Sequence, residues 1–521
     1  MAMLDETQVY LPELWAHHAR FHGNKTAVVC GRRRETWREL NAGFNRVANG
    51  LISAGVRRGD KVAVLMSNSI DMLHVMFGIV KAGACVVPIS GLLTARQIGV
   101  LLQDSDSIGF FASTTLRTQA EAALSENTNV RPDLRISVGF DSDGWTGLEP
   151  WSAASADVEP GIRYAMEDEF NIIYSSGTTG APKGIVQTHR ARQHWSYSNA
   201  IEMRIDDRSI ALVTTSLYSN GTWFMVLPPL FAGATIVIME QFSATAFLEA
   251  VQTERVTHTF MVPTQFIGIL AIADLPGYDL SSLKVMVSAG SALREDTKAE
   301  VLGRMGSGLF ELYGFTEGFA TMIKPEDIAR KRGSVGKPVI GFDLRIVGDD
   351  GREAPPCELG EIAGYGAGLM TGYYKNPAAT AAAIWIDDRG RTFFLSGDIG
   401  RLDEEGFLYI MDRKKDMIIS GGFNVFPKDI EAIVAEHPDI LDVSVIGIPH
   451  AKWGETPIAL IIPRAGCEPD PEVVRRWANA RLAKPQQLQE VELRSEFPRN
   501  ALGKVLKRLL REPYWSKEAG H

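Results

Sequence analysis

Lys61-Val-Ala-Val-Leu-Met66, then Ile70-Asp-Met-Leu-His-Val-Met-Phe-Gly-Ile-Val-Lys81, then Ala84-Cys-Val-Val-Pro-Ile89: this stretch decides the fold class. The first and third runs are short, apolar and rich in Val, and read as buried strands; the run between reads as a helix. Strand, helix, strand implies a βαβ unit and a parallel sheet. The arrangement recurs downstream. Ile210-Ala-Leu-Val-Thr214 is strand-like, Thr222 to Phe231 reads as an apolar helix, and Thr235-Ile-Val-Ile-Met239 is a strand. Both helix-to-strand junctions read Ala-Gly-Ala, at Ala82-Gly83-Ala84 and Ala232-Gly233-Ala234. Taken as an internal duplication, this predicts two similar α/β subdomains; the alternative is coincidence in an Ala- and Gly-rich chain.

Further strands are expected at Phe170-Asn-Ile-Ile-Tyr174, Thr257 to Val262, Leu283 to Ser288 and Leu309 to Tyr313. From about Gly341 the spacing shortens, as in Gly360-Glu-Ile-Ala-Gly-Tyr-Gly366 and Gly406-Phe-Leu-Tyr-Ile-Met411, which suggests a small β subdomain. The charged run Asp412-Arg-Lys-Lys-Asp416 follows, and beyond it an α+β pattern. Pro427 to His437 is a helix with Pro near its first turn, Val443 to Ile448 and Pro457 to Ile462 are strands, and Pro471 to Leu482 is a helix. The fold class is therefore α/β. A large N-terminal domain (1–411) of two similar α/β subdomains plus a small β subdomain precedes a small, mobile α+β C-terminal domain (412–521).

Bulk properties agree. A chain of 521 residues exceeds the ~250–300 at which single cores stop growing, so several domains are expected. Apolar residues are 45% and charged residues 22%, an ordinary globular balance. A formal charge of -9 speaks against a nucleic-acid partner and against a polybasic membrane patch. Cys30, Cys85, Cys357 and Cys467 are scattered, which indicates neither a zinc site nor a disulfide framework. Met1 to Leu14 carries acids and no apolar core, unlike a signal peptide. The apolar stretch Phe224 to Met239 is broken by Pro228, Pro229 and Gly233 and is too short to span a bilayer, so no integral membrane segment is expected. A reducing, cytoplasmic setting is the default. The sequence holds no determinant of oligomeric state; a homodimer is compatible with it.

The chemistry concentrates in Tyr174-Ser-Ser-Gly-Thr-Thr-Gly-Ala-Pro-Lys-Gly184, with three glycines and four aliphatic hydroxyls in eleven positions. Glycines let backbone N–H groups converge on an anion, hydroxyls add neutral donors and Lys183 adds charge, a set suited to a polyphosphate. The pattern differs from the GxxxxGK[ST] loop of GTPases. The bland alternative is a flexible surface loop. The segment resembles the phosphate loop of the adenylate-forming superfamily, which comprises acyl-CoA synthetases, peptide-synthetase adenylation domains and firefly-type luciferases. The resemblance extends over nearly the whole chain, because further motifs follow in the family's order, and it is nearest to the acyl-CoA synthetases.

The resemblance implies a set of roles. Ser175, Ser176, Gly177, Thr178, Thr179, Gly180 and Lys183 would bind the phosphates of ATP. In Tyr313-Gly-Phe-Thr-Glu317, the Tyr313-Gly314 pair would lie against adenine, Thr316 would contact the α-phosphate and Glu317 would hold Mg²⁺, a cation that prefers few carboxylates plus phosphate oxygens. Gly290, Ser291 and Ala292 fall where the family has a small-residue turn walling the adenine. Ser396-Gly-Asp398 resembles the family's T-G-D, whose Asp grips the ribose hydroxyls, and Arg413 of the charged run would reach ribose or phosphate, with Asp412 as pivot. The loop with Gly421 and Gly422 would line the pantetheine tunnel of coenzyme A. Lys504, in Pro498-Arg-Asn-Ala-Leu-Gly-Lys504, resembles the catalytic lysine.

The activity so implied is that of an AMP-forming carboxylate–CoA ligase. A carboxylate attacks the α-phosphorus of ATP and displaces pyrophosphate, and the CoA thiolate then attacks the acyl-adenylate. Lys504, Thr316 and Glu317 would serve the first step and the Gly421-Gly422 loop the second, with the tail domain turning about Asp412 in between. Two departures stand out. Thr215-Ser-Leu-Tyr-Ser-Asn-Gly221 has Tyr218 where many CoA ligases have a His, and Ser396 replaces the usual Thr. Tyr218, Trp223, Phe260, Val262 and Phe315 either line an acyl pocket or belong to the core; their bulk fits an aryl-propenoic acid or a medium to long fatty acid. No residue is an obvious partner for a second carboxylate, which disfavours a dicarboxylic acid. The rival readings are an adenylating enzyme that loads a carrier-protein thiol, a luciferase-like oxygenase, and a non-catalytic nucleotide-binding regulator.

Overall fold

The computed structural model describes residues 9–125, 129–175, 183–421, 423–499 and 503–515. The chain divides into two compact units: Met1–Arg332 with Pro338–Asp343 and Tyr365–Ile384, and Gly333–Lys337 with Leu344–Gly364 and Trp385–His521.

The first unit is built on two sheets. In one, the strands Leu309–Phe315, Val285–Ser288, His258–Met261, Ile210–Val213, Thr235–Ile238 and Thr26–Cys30 lie side by side and parallel. Phe319–Ile323 folds back antiparallel onto Leu309–Phe315. In the other, Glu169–Ser175, Cys85–Pro88, Lys61–Leu65, Ser107–Ser113 and Arg135–Val138 are parallel neighbours in that order, and Lys183–Thr188 pairs antiparallel with Glu169–Ser175.

The burial pattern explains why these strands read as continuous apolar runs. Val28, Ala211, Val213, Ile236, Ile238, Val285 and Val287 of the first sheet join Val62, Val64 and Val86 of the second in one shared core. Their alternate neighbours face outward into separate cores: Val29, Leu212, Val237, Met261 and Met286 in one, Ala63, Leu65, Cys85 and Val87 in the other. A strand buried on both faces has no polar alternation left to show. The shared core also takes Trp15, Phe44, Leu73 and Phe77 from the helices Leu11–Phe21, Trp37–Ser53 and Ile70–Lys81.

The two βαβ units expected from the sequence are present, each with adjacent parallel strands. Their Ala-Gly-Ala junctions have the same geometry. Gly83 has φ +77° and Gly233 φ +74°, and the amide after each glycine donates five residues back, Ala84 to the Ile79 carbonyl at 3.1 Å and Ala234 to the Pro229 carbonyl at 2.9 Å. This left-handed helix end favours glycine, and it turns each helix into its next strand. One element differs from expectation. Thr222 to Phe231 is not a single helix but a 3-10 stretch, Asn220–Met225, followed by a short helix, Leu227–Ala232. Pro228 and Pro229 lack the N–H groups that a continuous helix would need at that point and fit only its first turn.

The second unit carries two arrays, one antiparallel and one mixed. In one, Thr392–Leu402 pairs with Leu408–Arg413 and with residues 360–364. In the other, Gly454–Pro463 pairs with Ile440–His450 and Ile418–Ser420, and Glu490–Leu493 adds in parallel. The helices Pro427–Val434 and Pro471–Asn479 pack on this second array through Ile430, Val434, Val474 and Ala478. Among the described residues no helix is long and apolar enough to cross a membrane.

Candidate active site

In the first unit the site residues gather where the parallel strands end. Thr316, Glu317 and Gly318 form the turn between Leu309–Phe315 and Phe319–Ile323. Ser288 lies opposite Glu311 in the ladder, so the turn through Gly290, Ser291 and Ala292 leaves the sheet beside Leu312 and Tyr313. Gly290 and Ser291 are exposed, Tyr313 and Phe315 are half-buried and Gly314 is exposed between them. Crevices at the carboxyl ends of parallel strands are where open α/β sheets take ligands.

The stem of the glycine- and hydroxyl-rich loop is defined by Ser175 and Lys183, which face each other at the mouth of an antiparallel hairpin. Ser176, Gly177, Thr178, Thr179 and Gly180 lie outside the described residues, as does Gly422. Long-range contacts stitch this stem to the Thr316–Gly318 turn. Gln187, on the strand that leaves the loop, donates its Nε2 to the Thr316 carbonyl at 3.1 Å. Met370 donates its amide to the Glu317 carbonyl at 2.7 Å, and Tyr374 donates its amide to the Gly184 carbonyl at 2.7 Å. Between them Tyr373 pairs with Ile185 in the ladder, and its hydroxyl donates to Glu317 Oε1 at 2.8 Å. The Lys183 ammonium lies 4.7 Å from the centroid of the same Tyr373 ring. Burial first, and the Glu317 carboxylate second, push the Tyr373 hydroxyl far above its ordinary pKa, so it stays protonated and donates. From beneath, Trp195 Nε1 donates to the Gly318 carbonyl at 3.2 Å.

The second unit brings its own charged residues together. Asp398 sits opposite Arg413 in the ladder, with Arg413 Nε 3.4 Å from Asp398 Oδ1. The Asp398 amide donates to the Ser396 hydroxyl at 3.0 Å, so serine supplies the short-range acceptor that a threonine there would supply. The Lys414 amide donates to the Gly397 carbonyl, joining this turn to the charged run. Asp412 is buried, accepts from the amides of Arg413 and Lys428, and is raised in pKa by its burial. Lys504 is half-buried and feels Arg413, Asp398, Asp416 and Lys428. Its desolvation first, and the Arg413 guanidinium second, pull its pKa down to about 8. Gly421 donates its amide to the Trp453 carbonyl at 2.8 Å, and a Cβ on it would meet the Trp453 ring at 2.8 Å, so the loop approaches that indole as only glycine can.

Comparison with known proteins gives the family. A family model described as "AMP-binding enzyme" matches residues 15–374, and one described as "AMP-binding enzyme C-terminal domain" matches residues 429–504. The chain belongs to the adenylate-forming AMP-binding enzymes. An indoleacetate–CoA ligase of Aromatoleum aromaticum is 34% identical over 506 residues, covering 95% of this chain and 96% of its own. A feruloyl-CoA synthase of Amycolatopsis is 34% identical over 495 residues, 94% of this chain and 96% of its own. The crystal structure of ATP-bound MatB from Rhodopseudomonas palustris superposes with a TM-score of 0.86 at 28% identity, covering 97% of this chain and 99% of that one. Within the AMP-binding enzymes the chain is an acid–thiol ligase of the acyl-CoA synthetase family.

The five aromatic and apolar candidates of this AMP-binding enzyme do not share one environment. Trp223 is fully buried, donates its Nε1 to the Leu217 carbonyl at 2.8 Å and lies 4.6 Å from the Arg192 guanidinium. Phe260 and Val262 are buried, with Phe260 stacked 6.2 Å from Phe224. Tyr218 and Phe315 are half-buried, and Phe315 stacks 5.3 Å from Phe319. Tyr373 and Gln187 are the residues that sequence reasoning missed. Each reaches the Thr316–Gly318 turn from a segment distant from it in sequence, and no local sequence signal pointed to either.

Proposed function

We propose that this AMP-binding enzyme activates a carboxylic acid with ATP as an acyl-adenylate, releasing pyrophosphate, and then transfers the acyl group to coenzyme A. The observation that carries the reading is the Glu317 carboxylate, held by Tyr373 beside the Ser175 and Lys183 stem of a loop rich in glycine and hydroxyls. One half-buried carboxylate beside a polyphosphate cradle fits Mg²⁺, which binds through one or two carboxylates plus substrate phosphates. Bound there, Mg²⁺ would neutralise charge on the triphosphate.

The chain's own groups do the rest. Both reactants of the first step are anions, so catalysis is chiefly charge neutralisation and positioning. Lys183 and the loop hold the phosphates, Thr316 contacts the α-phosphate, Tyr313 and the Gly290–Ala292 turn wall the adenine, and Asp398 with Arg413 holds the ribose. Lys504 brings the carboxylate oxygen and the α-phosphorus together. That oxygen forms the new P–O bond as the bond to pyrophosphate breaks. In the second step the CoA thiolate adds to the acyl carbon, AMP leaves, and the loop of Gly421 and Gly422 gives the narrow thiol arm its path. The tail beyond Asp412 swings between the two steps as a mobile domain.

The acid is a monocarboxylate with an apolar body, aryl-propenoic or fatty in type. The half-buried rings of Tyr218 and Phe315 support this, and so do the two relatives named for aryl acids. The test is acid-dependent AMP release across aromatic, short, medium and long acids, with and without CoA. Release driven by CoA, with acyl-CoA as product, is expected. Acyl-AMP accumulating to the same level in both conditions removes CoA from the reaction.

A further inference from the structure

Lys183 and Glu317 carry opposite charges and belong to one proposed ATP site. Two such groups left in contact would pair with each other, and each would then have to be pulled free before a triphosphate or a metal ion could use it. The side chain of Tyr373 meets both. Its ring face takes the Lys183 ammonium at 4.7 Å from the centroid, within cation–π range. Its hydroxyl donates to Glu317 Oε1 at 2.8 Å. The ring cannot drift, because its backbone is anchored on both sides. Tyr373 N donates to the Thr380 hydroxyl at 2.9 Å, and the neighbouring residues Thr371 and Tyr374 donate to the Val186 and Gly184 carbonyls.

We propose that Tyr373 is a positioning residue which keeps the Lys183 ammonium and the Glu317 carboxylate apart and aimed, the hydroxyl setting the metal affinity of the carboxylate and the ring face setting the nucleotide affinity of the lysine. The inference rests on reading Glu317 as the metal carboxylate. A neutral donor suits this role, because it fixes one carboxylate oxygen without cancelling its charge, as outer partners of ligating groups do.

Metal binding is measured directly, as Mn²⁺ bound to the full chain with α,β-methylene-ATP, by electron paramagnetic resonance. Tyr373→Phe keeps the ring and loses the hydroxyl. It is expected to raise the Mn²⁺ Kd about tenfold, the scale of losing one outer partner of a metal ligand, while the nucleotide Kd at saturating metal moves little. Tyr373→Leu loses both groups and is expected to weaken nucleotide binding as well. Parental Mn²⁺ affinity in Tyr373→Phe, or equal loss of metal and nucleotide affinity in both variants, overturns the inference. Glu317→Gln separates this from the reading beneath it. If that variant binds Mn²⁺ as the parent does, the metal assignment of Glu317 fails. If it binds weakly while Tyr373→Phe binds normally, only the role of Tyr373 fails.

Discussion

Each compact unit carries one charged residue on which the proposed chemistry turns, and the two are held in opposite ways. Glu317 sits on a tight turn at the end of a parallel strand, with its carboxylate fixed by a neutral phenol and its backbone carbonyl by an amide. Lys504 lies among ions, with Asp398 and Asp416 favouring its charge and Arg413 and Lys428 opposing it. A neutral partner gives direction and leaves charge intact, whereas burial first, and the surrounding charges second, tune the proton itself. The first centre is thus preset, and the second is poised to titrate close to neutral pH. Such tuning is common at functional lysines.

Four experiments break or sharpen that contrast. The largest effect is expected from Lys504→Ala, which should lower acid-dependent pyrophosphate exchange by about 10²–10³, the scale of removing one charge-stabilising group, while thioester formation from supplied acyl-AMP persists. Equal loss in both half-reactions would end the division of labour between Lys504 and the Gly421 loop. Next, Glu317→Gln should raise the Mg²⁺ needed for half-maximal exchange by about 10-fold or more and leave the pH profile in place. A shifted pH profile with normal metal dependence would show that the two centres are not separate.

The third prediction concerns pH. The proposed mechanism requires a cationic Lys504 for adenylation, so exchange by the free enzyme should decline as pH rises through about 8, a limb absent from thioester formation with supplied acyl-AMP. For stability the sign is opposite. The folded pKa of Lys504 lies below its ordinary 10.5, so its contribution is unfavourable below about 8 and is relieved as pH rises from about 8 towards 10.5. An alkaline limb that survives in Lys504→Arg at the same position would assign it to another group. The smallest effect is expected from Arg413→Met. Removing that guanidinium takes away a charge that lowers the Lys504 pKa, so the alkaline limb should move to higher pH by less than about one unit. A limb that stays in place or moves down would show that burial alone sets the lysine.

Much of the frame was legible in the sequence. The strand Lys61–Leu65, the helix Ile70–Lys81 and the strand Cys85–Pro88 lie within a residue or two of where their apolar runs put them, and the paired Ala-Gly-Ala junctions share one helix-end geometry. The second βαβ unit was legible only in part. Thr222 to Phe231 reads as one apolar helix although Pro228 and Pro229 interrupt it, and their missing N–H groups end one helical stretch and start another. The candidate site was legible as motifs, each local in sequence, and their meeting was not. Nothing in Gly372-Tyr373-Tyr374 says that it will pair with Val186 and Ile185 and so carry a phenol to Glu317.

The sequence by itself determined the α/β class and the repeated βαβ plan, and its resemblance to the adenylate-forming superfamily supplied the candidate residues for a polyphosphate, a metal ion and a ribose. The class and the plan follow from periodicity, which is a property of neighbouring residues. Tertiary structure alone decided that Asp398 stands opposite Arg413, that Trp223 is enclosed with no surface left to a ligand, and that one tyrosine stands between Lys183 and Glu317. Those depend on strand register and on burial from both faces of a sheet, set by which segments pack together and not by the order in which the chain presents them.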